Sequence, residues 1–164
     1  MRKQLYLDIK NHLKTVKNEF GDQLFLHFDL WNRQVEFIEQ ETPFGCPAVF
    51  VEFAPMVWRT MGNRVQECEL TVTLHIVTEW FAGTADYSPT EHQALEFLQI
   101  SDYVSAAMQN FSTTYMNGWM RTQSVTNHDH ERYVDNTESY KCNLRDISAV
   151  QQFELADIKL IIDN

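Results

Sequence analysis

The chain has 164 residues, 44% of them apolar and 13% aromatic, enough to bury a core without disulfides or metals and far from the composition of a disordered segment. Its 13 basic and 23 acidic residues give a formal net charge of −10, so the surface as a whole repels nucleic-acid phosphates and anionic lipid. No run approaches the roughly 20 consecutive apolar residues of a membrane-spanning helix, and the start MRKQLYLDIKNHL lacks the apolar segment and small-residue cleavage site of a secretory signal, so a soluble protein that stays in the cytoplasm is expected.

Leu5, Ile9, Leu13, Val16 and Phe20 recur at spacings of three and four, which predicts one amphipathic helix over the first twenty residues, stopped at Gly21. LFLHFDLW then reads as a short strand, with Phe25, His27 and Asp29 on one side and Leu24, Leu26, Phe28 and Leu30 on the other. Between Asn32 and Pro47, apolar residues mix with Pro43, Gly45 and Pro47, which suits either an irregular connection or a short edge strand. AVFVEFAPMVW, residues 48 to 58, is almost wholly apolar, as a strand covered on both faces would be, with a bulge or an edge at Pro55.

The clearest signal follows. In VQECELTVTLHIVTEW, Cys68, Leu70, Val72, Leu74 and Ile76 point one way and Glu67, Glu69, Thr71, Thr73 and His75 the other, giving a long strand with one dry face. Its pairing with residues 48–58 predicts a long hairpin whose tip, Arg59 to Arg64, projects beyond the sheet. A second helix opens with Ser88 as N-cap, Pro89 at the first helical position and Glu91 at the capping-box position, and Ala94, Leu98, Tyr103, Val104, Ala107, Met108 and Phe111 fall along one face. GWMRTQSVTNHDH and YVDNTESYKCNLRDI read as two further strands, the second with Tyr140, Cys142 and Leu144 facing in.

The order helix, strand, hairpin, helix, hairpin predicts an α+β fold: one mixed, mostly antiparallel sheet with two amphipathic helices on one face and a long projecting hairpin. Residues 1–148 form the α+β core of a single domain, 1–164, and residues 149–164 form a C-terminal arm whose Ile158, Leu160 and Ile162 either add a strand at home or lend an edge to a neighbouring subunit. Cys46, Cys68 and Cys142, odd in number and widely spaced, are expected to be small core residues, not a disulfide framework or a zinc ribbon.

TNHDHE, residues 126 to 131, is the stretch that invites chemistry. In an extended chain His128 and His130 point the same way, and with Asp129 they resemble half of a metal site, with His75 or a carboxylate as third ligand. No HExxH, CxxC or paired His-Cys motif accompanies them, so a solvated turn held by Asn127 and Asp129 is the preferred reading, with no cofactor. There is no GxSxG elbow and no phosphate-cradling glycine loop, and Glu67 with Glu69 is read as a charged outer face. Trp31, Trp58, Trp80 and Trp119 fall near strand ends, either capping the core or anchoring an interface.

DLWNRQVEFIEQETPFGCPAVFVEF, WRTMGNRVQECELTVTLHIVTEW and TNHDHERYVDNTESYKCNLRD together resemble a family of small phage or prophage proteins of Bacteroides-type genomes, and in arrangement the chain is similar to tail terminator and tail completion proteins of long-tailed phages. The resemblance spans residues 29–146 and contains no catalytic motif. It implies a non-enzymatic virion part, made in the bacterial host cytoplasm: a subunit of a ring, usually hexameric, that joins tail tube and head connector proteins while DNA passes through without being specifically bound and no membrane is involved. It makes Trp58, Arg59, Met61 and Arg64, with Ile158, Leu160 and Ile162 of the arm, the candidate contacts. The alternatives are a metal-dependent enzyme centred on His128, Asp129 and His130, and a module that binds a host protein.

Overall fold

A computed structural model describes residues 1–36, 44–79, 83, 85–127, 129 and 133–151, the side chains of Gln93, Ala94 and Phe97 excepted. Two helices, α1 (Arg2–Leu13) and α2 (Glu91–Gln109), accompany six strands: β1 (His27–Leu30), β2 (Ala48–Phe53), β3 (Arg59–Gly62), β4 (Val65–Glu79), β5 (Met120–Asn127) and β6 (Tyr133–Asp146). They form one sheet in the order β1-β2-β4-β6-β5, with β3 also paired to β4. Among the described strands only β1 and β2 run parallel; the other pairs are antiparallel. This is the α+β architecture that the strand and helix periods predict.

The long strand is the spine. β4 pairs with β6 along fourteen positions, from Gln66↔Asp146 to Glu79↔Tyr133, so its alternation is imposed on both neighbours. Leu70, Val72, Leu74 and Ile76 of β4, with Tyr140, Cys142 and Leu144 of β6, face the helices and are buried with Leu5, Ile9 and Leu13 of α1 and Ile100, Val104 and Met108 of α2. Each such Leu or Ile contributes roughly 1.5–3 kcal/mol through burial. Both helices therefore lie on the same face.

Four local expectations are corrected. Helix α1 ends at Leu13, because the chain turns at Lys14 to Val16 and Asn18 Oδ1 accepts from the backbone N–H of Phe20 and Asp22, so Phe20 stands 80% exposed rather than continuing the stripe. Leu26, assigned to the same side as Leu24 and Phe28, is exposed, since β1 begins only at His27. Helix α2 starts two residues later than its capping signal, with Thr90 as N-cap; the Ser88 hydroxyl accepts from the Thr90 N–H in the preceding turn. Leu98 is exposed, and Ile100 takes the buried place.

The hairpin is interrupted. Strand β2 pairs with Val72–Val77 of β4 and the chain leaves the ladder near Pro55, where a missing N–H cannot continue it. It rejoins as β3 against Val65–Glu67. The turn carries positive φ at Gly62, Asn63 and Arg64, a backbone form that glycine and asparagine tolerate best. All four residues of β3 are exposed, as are all of β5 except Asn127.

Candidate functional site

The opposite face of the sheet is built differently. There β4 presents Glu67, Glu69, Thr71, Thr73, His75 and Val77, and the register sets His75 across from Thr137 and Val77 across from Asp135. Toward the hairpin this face is solvated: Lys141 donates to Glu69 at 2.8 Å and Arg145 lies 3.8 Å from Glu67. Toward the other end a second apolar cluster of Val35, Ala48, Phe50, Val77 and Tyr133, with Trp31, Phe44 and Cys46 packed against it, covers the strands. Gln34 holds that cover in place, accepting from the N–H of Asn32 at 2.8 Å and donating to the Leu30 carbonyl at 2.7 Å.

Between the two regions lies an open basin of about 720 Å³ lined by Trp31, Arg33, Glu36, Glu52, His75, Asp129, Asp135 and Thr137, among others. His75 forms its centre and is only 7% exposed. Its ring stacks on Trp31 with centroids 3.6 Å apart and planes 4° from parallel. Its Nδ1 is 3.0 Å from Asp135 Oδ2 and its Nε2 is 3.3 Å from Glu52 Oε2. An imidazolium donates to both carboxylates; a neutral ring can donate to only one of them. Asp135 is 4% exposed, and its Oδ1 is buried without a hydrogen-bond partner.

A histidine oriented by an aspartate is half of a nucleophile-activating array. Here the other ring nitrogen meets the Glu52 carboxylate rather than a hydroxyl or thiol of the chain. Among the described residues no group of three or more His, Cys, Asp or Glu is placed to hold a metal ion. His128 and His130 lie outside the described residues. Asp129 sits at the rim of the basin and its N–H is held by Asn127 Oδ1 at 2.9 Å, the local turn bond that the solvated-loop reading anticipates.

The remaining candidates are at the hairpin end. Arg59, Met61 and Arg64 are exposed, Met61 to 60%, whereas Trp58 is half-buried and packs against the helix-side core. Val57, Arg59, Met61, Glu67 and Glu69 line a groove of about 580 Å³ beneath the tip. Ile158, Leu160 and Ile162, like Trp80, lie outside the described residues. Trp119 is buried in the helix-side core and Trp31 caps His75, so one tryptophan is a core residue and another belongs to the basin.

Sequence reasoning placed His75 on the outer face but missed its pairing with Asp135, Glu52 and Trp31. One signal was legible: Asp135, an acidic residue inside an otherwise strand-like run, is on the same face of the sheet as His75 once β4 and β6 are put in register.

No family model and no curated protein matches the sequence. A solved chain from the virion of a native gene transfer agent particle is similar in structure over 87% of this chain and 95% of that one, with a TM-score of 0.48 and 8% identical residues. That likeness is too distant to carry a function across. No helix among the described residues is long and apolar enough to cross a membrane.

Proposed function

We propose that this chain is a non-enzymatic structural protein of a phage virion, a ring-forming tail terminator or tail completion subunit at the head–tail junction. The reading rests on the sequence resemblance to that family and on one structural observation: β5, at one edge of the sheet, is exposed in all but its last residue, and β3, off the main strand order, is exposed throughout. Unpaired strand edges and a projecting turn are surfaces that identical neighbours can use, and a heterologous contact repeated around an axis closes a ring. The hairpin tip with Arg59, Met61 and Arg64 and the arm with Ile158, Leu160 and Ile162 are the proposed contacts, the ring a hexamer, and the tail tube and head connector proteins its neighbours. DNA would pass through the centre without specific binding, consistent with a net charge of −10.

Sedimentation velocity and native mass spectrometry of the full chain, with and without a phage tail tube protein, test this. Discrete closed oligomers are expected. Monomer alone at high concentration in both settings would sink the proposal.

A further inference from the structure

The charge of the molecule is unevenly placed. Residues 1–17 hold five basic residues and one acidic residue, a net of 5 − 1 = +4, which leaves 8 − 22 = −14 for the rest of the chain. At about 100° per residue, Lys3, Lys10 and Lys14 fall on one flank of helix α1, beside its buried stripe of Leu5, Ile9 and Leu13. Lys3, Lys14 and Lys17 are exposed and Lys10 is half-buried. Lys10 and Lys14 lie over the rings of Tyr6 and Phe28, at 5.8 and 6.0 Å, which steadies their stems along the surface.

The one carboxylate of this segment, Asp8, accepts from Gln4 and from the Tyr115 hydroxyl, and among the described residues none of Arg2, Lys3, Lys10, Lys14 and Lys17 is in an ion pair. Two basic residues near a helix C-terminus are ordinary complements to the helix dipole. Five in seventeen residues, on a chain of net −10, exceed that need.

The basin carries the opposite imbalance. Glu36 is matched by Arg33 at 3.6 Å, which among the described residues leaves Glu52, Asp129 and Asp135 facing the imidazole of His75. Asp135 Oδ1 is buried and has no hydrogen-bond donor among the described residues, so this carboxylate adds negative charge beneath the basin that only His75 answers there. Elsewhere on that face the acids are answered: Glu69 by Lys141 and Glu67 by Arg145. Among the described residues the lysine flank has donors without ion-pair partners and the basin has more carboxylates than cations, and the two lie on opposite sides of the sheet.

We infer that the lysine flank of α1 in one copy docks against the Glu52–Asp129–Asp135 basin of the next, forming the repeating contact of the assembly. The inference rests on the ring reading above and adds a further pair of surfaces to the hairpin tip and the arm. Because the two surfaces differ and face apart, the contact is heterologous and can propagate or close, whereas a self-complementary patch would stop at a dimer. A phosphate backbone is the other partner chemistry that a lysine flank fits. The copy-to-copy contact is favoured because the matching acidic surface exists on the same chain and the rest of the molecule repels phosphates.

The test uses two full-length charge reversals at exposed positions away from the core. One carries Lys3→Glu, Lys14→Glu and Lys17→Glu; the other carries Glu52→Lys and Asp129→Lys. Each alone is expected to weaken self-association roughly a hundredfold, since like charges then meet across the contact. Mixing them should restore the wild-type oligomer mass, because each reversed surface meets a reversed partner, and raising salt should dissolve the wild-type assembly. Wild-type assembly unaffected by either reversal would overturn this inference and leave the ring reading standing; a wild-type chain that never assembles would overturn both. A helix reversal that loses affinity for duplex DNA while assembling normally would assign the flank to nucleic acid and overturn the docking.

Discussion

The two faces of the sheet are closed by different means. The helix side is dry, with Leu70, Leu74 and Ile76 fully buried beneath α1 and α2, and its stability comes from apolar area and packing. The other side is a mosaic: solvated cross-strand ion pairs near the hairpin, a small apolar cover at the far end, and between them a buried His75 clasped by Asp135 and Glu52 under Trp31. The contrast teaches that one strand can build a dry core through its even-numbered residues and a largely polar face through its odd-numbered ones. β4 does both with a single alternation.

Adjacent residues of β4 sharpen that contrast most directly. Leu74→Ala removes three heavy atoms' worth of contact from the dry face and should cost about 2–5 kcal/mol in urea unfolding. Thr73→Ala, one residue away, removes a hydroxyl 3.0 Å from Ser139 Oγ on the other face and should cost about 1 kcal/mol or less. Equal costs would mean that the two faces are not energetically distinct. Asp135→Ala falls between them: it leaves His75 Nδ1 buried without its carboxylate and should cost about 1–3 kcal/mol. A cost as small as that of Thr73→Ala would show that the clasp contributes nothing to folding.

The same contrast explains what was legible beforehand. The dry face announces itself because burial demands apolar residues at every second position, and Cys68 to Ile76 and Tyr140 to Leu144 obey that demand. The helix ends were harder to place, since Phe20 fits the 3.6 period but a turn built on Asn18 removes it from the helix. Ser88 has the chemistry of a cap and is used two residues early, in the turn before the helix. The basin was not legible, because its parts come from four separate segments: Trp31 before the apolar cover, Glu52 on β2, His75 on β4 and Asp135 on β6. Only the register of three strands brings them together, and register is a property of pairing, not of any one segment.

Thiol chemistry gives a subtler reading of the same layers. Cys142, among the helix-side core residues, has its thiol pushed up to about 12 by burial, and Cys68 is shifted upward for the same first reason. Cys46 belongs to the apolar cover of the other face and is half-buried. A thiol-modifying reagent under native conditions at mildly alkaline pH should therefore label Cys46 first and leave Cys142 until the chain unfolds, since the thiolate is the reactive form. Labelling of Cys142 at a comparable rate would mean that the dry face opens readily.

The smallest effect should come from the solvated end of the outer face, where its sign can still be worked out. The hydrogen bond from Lys141, then its charge and that of Arg59, hold the Glu69 carboxyl below its ordinary pKa. A lowered folded-state value means that the folded chain binds its proton less readily than the unfolded one, so the stabilisation is fully present above the ordinary carboxylate range and is lost as pH falls through the lowered value. Because both side chains are solvent-accessible, water and salt screen most of it. Glu69→Gln should thus be slightly less stable than wild type at neutral pH and low salt, and the two unfolding curves should converge both in acid and at high ionic strength. Convergence on raising the pH instead would reverse the sign, and would mean that Glu69 answers to the acidic neighbours on its face rather than to Lys141.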